Sequence, residues 1–226
     1  MTGSFSQRLA IDIGGTFTDT VLVRGQEEIL ASSKNLTSAA NPADGAREGT
    51  KRVMQQSGCG LDEVSAFIHG TTLATNALIE RQGACVATIT TEGFRDILEI
   101  GYERRYSQYD INLNKTEPLV PRERSFTVRE RIDVGGNVLI PLDDASIDNL
   151  ISNIDACGAE AIAICLLHSY TNPLHEKDLR EVLNKKRPQL AVSISSEVSP
   201  EAREFDRLST TVANAYIQPL MKDYLE

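Results

Sequence analysis

Ile11-Asp12-Ile13-Gly14-Gly15-Thr16-Phe17-Thr18-Asp19 reads as a strand, a tight glycine turn and a returning strand. Leu9, Ile11 and Ile13 alternate with Ala10 and Asp12, and Thr20 to Val23 resume an extended apolar run after the glycines. That is the pattern of a β-hairpin. Gly14 and Gly15 carry no Cβ, so a ligand can approach their backbone closely. The N–H groups freed at such a turn suit phosphate oxygens, with the Thr16 and Thr18 hydroxyls beside them, and Asp12 is placed to hold a hydrated Mg²⁺. The plainer alternative is a simple hairpin with a polar tip. Two other phosphate loops fit poorly: no Lys follows the glycines, and the three spaced glycines of a dinucleotide loop are absent.

The rest of the composition narrows the class. At 226 residues the chain is long enough for one large domain or two small ones, and its 41% apolar content is ordinary for a globular protein. A formal net charge of -9 argues against a nucleic-acid partner gripped through its phosphates. It says little about a small anion, which a local glycine turn binds without net positive charge. No apolar run is long enough to span a bilayer, and Met1 to Gln7 has no signal-like apolar core. Cys59, Cys85, Cys157 and Cys165 are scattered, without a Cys-x-x-Cys pair, and Cys85 and Cys165 sit in apolar runs. The expectation is a reduced, cytoplasmic protein without a membrane partner.

Outward from the hairpin, Glu28 to Ser33 reads as a third strand and Asn41-Pro42 as a helix start, with Ser57-Gly58 ending that helix. Val64 to Ile68 is a short strand leading into His69-Gly70-Thr71-Thr72, then a helix to about Arg81, then the strand Ala84 to Thr90. Strand, helix, strand predicts a crossover unit with its binding loop at the end of the first strand. The segment 101–124 is long and irregular, interleaving Tyr102, Tyr106 and Tyr109 with Arg104 and Arg105. Helices over 143–156, from Asn172-Pro173 to near Lys186, and from Ser199-Pro200 onward alternate with strands at 159–167 and 190–194.

Further candidates follow. Thr71 or Thr72 is placed to cap the helix and leave N–H groups for an anion, and His69 to move a proton. Local packing of His69 is the alternative. Arg104 and Arg105 are candidate binders of a substrate carboxylate or phosphate. Glu197 and Glu201 surround Pro200 as further substrate candidates, against the alternative of a solvated ion-pair face. His168 and His175 read as ordinary.

Asp12 to Asp19 resembles the first phosphate motif of the actin/hexokinase ATPase superfamily, and Phe17-Thr18-Asp19 narrows this to the N-terminal part of the hydantoinase/oxoprolinase family. The stretch 69–83, the Tyr-x-x-Tyr-Asp segment with Pro-Leu-Val-Pro-Arg, and Ser-Glu-Val-Ser-Pro-Glu resemble the same family, so the likeness covers essentially the whole chain. It implies an α/β fold: the first lobe of a ribonuclease H-like/actin-like ATPase, with a mixed sheet and flanking helices. It divides the chain into 8–98, a first subdomain carrying the hairpin; 99–200, an inserted subdomain; and 201–226, the start of the following region. Family proteins are several times longer, so the chain is expected to be an N-terminal fragment or truncated product, inactive alone.

The function so implied is ATP-dependent opening of a cyclic amide, such as a hydantoin or 5-oxoproline, through phosphoryl activation. Asp12 would hold Mg²⁺; Gly14, Gly15, Thr16, Thr18 and Asp19 would line ATP; and His69, Thr71 and Thr72 would face the reacting region. Expected partners are the remaining C-terminal region, a possible second subunit and an oligomer when intact. Two alternatives stay open: a subunit of an ATP-dependent ketone carboxylase, and a non-catalytic assembly module. A sugar kinase is disfavoured by Phe17-Thr18-Asp19.

Overall fold

Apolar residues on alternate positions build the first sheet. β1 (Gln7–Ile13), β2 (Phe17–Arg24) and β3 (Glu28–Leu36) form an antiparallel meander. β4 (Val64–Thr71) adds parallel to β1, giving the mixed order β3-β2-β1-β4. The structure, a computed structural model, describes residues 6–38, 42–102, 109–112 and 116–225. Arg104 and Arg105 lie outside the described residues. The chain divides into two compact units, residues 1–82 with 221–226, and residues 83–220. The compact units divide at 82/83, while the sequence reading sets a subdomain boundary near 98.

In the first unit, α1 (Pro42–Ser57) packs on the sheet face that carries Leu9, Ile11, Ile13 and Leu22. Two glycines one turn apart let it come close. A Cβ on Gly45 would stand 2.8 Å from Thr18 Oγ1, and one on Gly49 2.3 Å from Thr20 Oγ1. Gly58 ends the helix in the left-handed conformation (φ 69°), donating its N–H to Met54 O at 3.0 Å. The short helix α2 (Leu73–Ile79) follows β4 directly.

In the second unit, β5 (Val86–Thr91), β6 (Ser125–Val128), β9 (Ala161–Cys165) and β10 (Ala191–Ile194) form a parallel sheet, order β10-β9-β5-β6. Every residue of β5 and β9 is buried, as a parallel sheet covered on both faces requires. The main core joins these strands to α4 (Asp144–Ala156) and α5 (Leu174–Lys186). A small hairpin of β7 (Arg131–Ile132) and β8 (Val138–Ile140), the short helices α3 (Ile97–Ile100) and α6 (Ser195–Val198), and the long α7 (Glu204–Leu225) complete the described elements.

The predicted crossover over 64–90 is corrected. Its helix exists, but β4 pairs with β1 while β5 joins the other sheet. A short apolar run suits either sheet, and only β5 is apolar enough to be covered on both sides. Among the described residues no helix is long and apolar enough to cross a membrane, and all four cysteines are free thiols.

Candidate functional site: a bare glycine turn beside an exposed carboxylate

The hairpin turn and the end of β4 meet through strand register. Parallel pairing sets Ile11 beside His69, Asp12 beside Gly70 and Ile13 beside Thr71. Antiparallel pairing sets Asp12 opposite Asp19, and Ile13 opposite Thr18. Successive side chains alternate faces, so Asp12, Gly70 and Asp19 share one face while Thr18, Thr71 and His69 share the other. A Cβ on Gly70 would stand 3.4 Å from Asp12 Oδ1, so the missing side chain keeps that carboxylate uncrowded.

Asp12 is exposed and has no hydrogen-bond or ion-pair partner among the described residues. Asp19, by contrast, is held by Lys34, whose Nζ lies 2.9 and 2.7 Å from its two oxygens and 5.0 Å from the centre of the Phe17 ring. The face therefore presents one compensated carboxylate and one open one.

Thr37 ties the turn down from behind. Its N–H donates to Thr16 O at 2.9 Å, its Oγ1 donates to Gly14 O at 2.9 Å, and the same oxygen lies 2.9 Å from Thr18 Oγ1. Gly14 N–H closes the turn on Phe17 O at 2.9 Å. With these groups engaged, the N–H groups of Gly15 and Thr16 have no acceptor among the described residues, and both residues are exposed. Two adjacent bare N–H donors next to an open carboxylate suit a phosphate oxygen and its counter-ion.

Not every predicted residue sits on that open side. Thr18 is fully buried, its hydroxyl occupied by Thr37 and facing α1, so its side chain braces the turn. Thr71 is occupied too: its Oγ1 donates to Ile13 O and accepts from Leu73 N–H, each at 3.1 Å. This clamps the start of α2 by taking up the Leu73 N–H. Thr72 is exposed, with its N–H on Ile13 O at 3.1 Å and its hydroxyl accepting from Asn76 Nδ2 at 3.3 Å.

His69 points to the face opposite Asp12, where its ring stacks between Phe67 and Tyr224, centroids 6.1 and 5.5 Å away. Its Nε2 lies 2.5 Å from the Tyr224 hydroxyl. Burial pushes the Tyr224 phenol above its ordinary value. Within this unit His69 is packed and hydrogen-bonded locally.

Glu197 and Glu201 belong to the second unit. Glu197 forms a two-pronged ion pair with Arg180, at 2.5 and 2.9 Å, which holds its carboxyl below the usual range. Glu201 uses its backbone carbonyl, 2.5 Å from Arg207 Nη1.

Two groups escaped sequence reading. Asn76 projects from α2 to the turn: a Cβ on Gly15 would stand 2.7 Å from its Nδ2. The second group is a buried polar network at the C-terminal ends of the parallel strands. Glu176 accepts from Leu166 N–H at 2.9 Å, Ser196 N–H at 2.9 Å and Ser195 Oγ at 2.6 Å. The fully buried Arg207 donates to the same Ser195 Oγ at 3.1 Å and to Leu166 O at 2.9 Å. Nearby, His175 Nδ1 lies 2.7 Å from Glu130 Oε2, and Thr91 donates to the other oxygen of Glu130. These groups satisfy one another and fill the strand ends where open α/β sheets usually bind ligands. The polar residues just beyond each apolar strand were the available signal.

Comparison with known proteins follows this geometry. Residues 8–187 match the family model described as the hydantoinase/oxoprolinase N-terminal region. The chain is 36% identical over 228 residues to the caprolactamase subunit alpha of Pseudomonas jessenii, covering 97% of this chain and 32% of that protein. The crystal structure of the ATP-dependent caprolactamase from that organism superposes with a TM-score of 0.84 over 96% of this chain. The 5-oxoprolinase of Saccharomyces cerevisiae is 33% identical over 255 residues, 96% of this chain and 20% of its own length. A nucleotide-free acetone carboxylase, solved in work on ATP-dependent acetone carboxylation, superposes with a TM-score of 0.85 at 28% identity, covering 98% of this chain and 33% of its own. The chain thus spans a third or less of these relatives.

Proposed function

This chain belongs to the hydantoinase/oxoprolinase family, whose N-terminal region it matches, and on that premise we propose that it supplies the phosphate-gripping unit of an ATP-dependent enzyme that opens a cyclic amide. The observation that carries this reading is the pair of unengaged N–H groups at Gly15 and Thr16, on an exposed turn beside the open Asp12.

An amide resists water because its nitrogen lone pair is delocalised into the carbonyl. Transfer of a phosphoryl group to the amide oxygen makes the carbon electrophilic. In such transfers the protein contributes mainly position and charge stabilisation. Here Gly15 and Thr16 would donate to phosphate oxygens, Thr72 would stand at the rim, and Thr37, Thr18 and Thr71 would hold the turn in shape.

Mg²⁺ fits Asp12 in one form. No three His, Cys, Asp or Glu side chains converge among the described residues, so these offer no all-protein cage. A single open carboxylate next to phosphate donors is the arrangement in which Mg²⁺ keeps several waters and takes its other ligands from the nucleotide. Bound there, the ion would neutralise charge on the phosphate chain. Lys34 keeps Asp19 engaged, leaving Asp12 as the available ligand.

β4 is an edge of its sheet and bare, with Phe67 62% and Ile68 52% exposed. An uncovered apolar edge supports a partner there, either the remainder of the full-length protein or a second subunit. The carboxylase reading is the second one, favoured by the acetone carboxylase superposition. Phosphate release by the purified full-length protein, with its partner subunit where one exists, separates the two. Stimulation by a lactam, hydantoin or 5-oxoproline supports the hydrolase; stimulation only by a ketone with bicarbonate overturns it.

A further inference from the structure

The side chain of Asn76 has no role in the reading above, yet it stands at the open side of the turn. Its Nδ2 lies 2.7 Å, and its Cγ 3.7 Å, from the place a Cβ on Gly15 would take. At 2.7 Å one of the two must shift, and the amide end of Asn76 is the group that would give way, so a side chain at position 15 would displace it from the turn. The carboxamide is held from behind by its one hydrogen bond among the described residues, from Nδ2 to Thr72 Oγ1 at 3.3 Å. Thr72 is itself fixed by its N–H to Ile13 O at 3.1 Å. An Asn carboxamide has two N–H donors and an acceptor oxygen. Thr72 takes one donor, which leaves the second N–H available beside Gly15.

We propose that Asn76 is a phosphate-contacting residue: its second Nδ2–H joins the N–H groups of Gly15 and Thr16 as a third donor to one phosphate group of the bound nucleotide. This rests on the phosphate reading of the turn. It gives Gly15 two reasons to be glycine, ligand approach and room for Asn76. It also gives Thr72 a defined part, as the residue that orients Asn76. All these groups lie within the first unit, so the arrangement is intrinsic to its fold.

The test measures binding of AMPPNP and of adenosine to full-length wild-type, Asn76→Ala and Asn76→Asp proteins by calorimetry, with thermal unfolding alongside. Asn76→Ala should weaken AMPPNP by about 10-fold, the loss of one hydrogen bond to a charged acceptor. Asn76→Asp, similar in shape but anionic, should weaken it further and more so at low salt. Adenosine, which lacks phosphate, should bind all three alike. Both variants within twofold of wild type for AMPPNP overturn the inference alone. Equal losses for adenosine and AMPPNP in both variants, with lowered unfolding temperatures, show a merely structural Asn76 and also overturn it. A wild-type protein that binds adenosine but gains nothing from the phosphates overturns the phosphate reading itself.

Discussion

Gly49→Ala is expected to loosen the turn's supporting layer although it adds only one methyl group, far from any ligand. In an exposed helix interior this change stabilises by about 1 kcal/mol through backbone entropy. Here the new Cβ would meet Thr20 Oγ1 at 2.3 Å, Asn35 Nδ2 at 3.0 Å and Thr20 Cβ at 3.1 Å. Thr20 is fully buried and β-branched, so its γ atoms have little room to turn away. α1 must move outward by roughly 1 Å, the overlap against an ordinary carbon–oxygen contact, and over-packing of this kind costs about 1–3 kcal/mol. The net expectation is a loss of up to about 2 kcal/mol, local to α1 and β2. Hydrogen exchange of the α1 amides in the full-length protein reads it directly, with protection falling roughly 10-fold per 1.4 kcal/mol. The Thr20→Ala partner removes both γ atoms, including a buried hydroxyl that has no hydrogen-bond partner among the described residues. The double variant should therefore recover most of the loss. Higher protection in Gly49→Ala alone would refute the close approach of α1 to the hairpin.

Asp12→Asn should leave thermal unfolding within roughly 1 kcal/mol, because the side chain is exposed and unpartnered, while ATP-dependent turnover falls by orders of magnitude; turnover near wild type sinks the metal role. Arg207→Met should destabilise the second unit by about 1–3 kcal/mol, because it takes the guanidinium donor from the buried Leu166 O and Ser195 Oγ, as exchange in β9 and β10 would show. Burial pushes the Cys165 thiol up to about 11 from the ordinary 9.0. The native thiol therefore keeps its proton while the unfolded one ionises, so Cys165 should withdraw stability as pH rises from about 9 to 11, by an amount on the order of 2–3 kcal/mol in all. Cys165→Ala should flatten that alkaline slope in denaturant titrations, and an unchanged slope would refute the assignment.

The hairpin, α1 and the paired strands were legible because each carries a local signal: alternation, Asn41-Pro42 at the helix start, glycine at its end. What stayed illegible depends on register. Val21 and Val23 are as apolar as Leu22, so parity alone did not show that Thr18 and Thr20 face inward with Leu22. His69 and Asp12 looked like neighbours in one site because both end strands. The parallel pairing that joins those strands also sends the two side chains to opposite faces. Asn76 is separated from Gly15 by most of the first unit's sequence and reaches it only because β4 pairs with β1. The mutual compensation of Glu130, His175, Glu176 and Arg207 appears only when the strand ends converge.

Phosphate binding at the Gly14–Thr16 turn can be seen in a structure of the full-length protein with AMPPNP and Mg²⁺. A phosphate oxygen should lie about 2.7–3.1 Å from the N–H nitrogens of Gly15 and Thr16, a hydrogen-bond distance, with the ion on the Asp12 side. A phosphate chain bound away from the turn, with those two N–H groups facing only water, would contradict it.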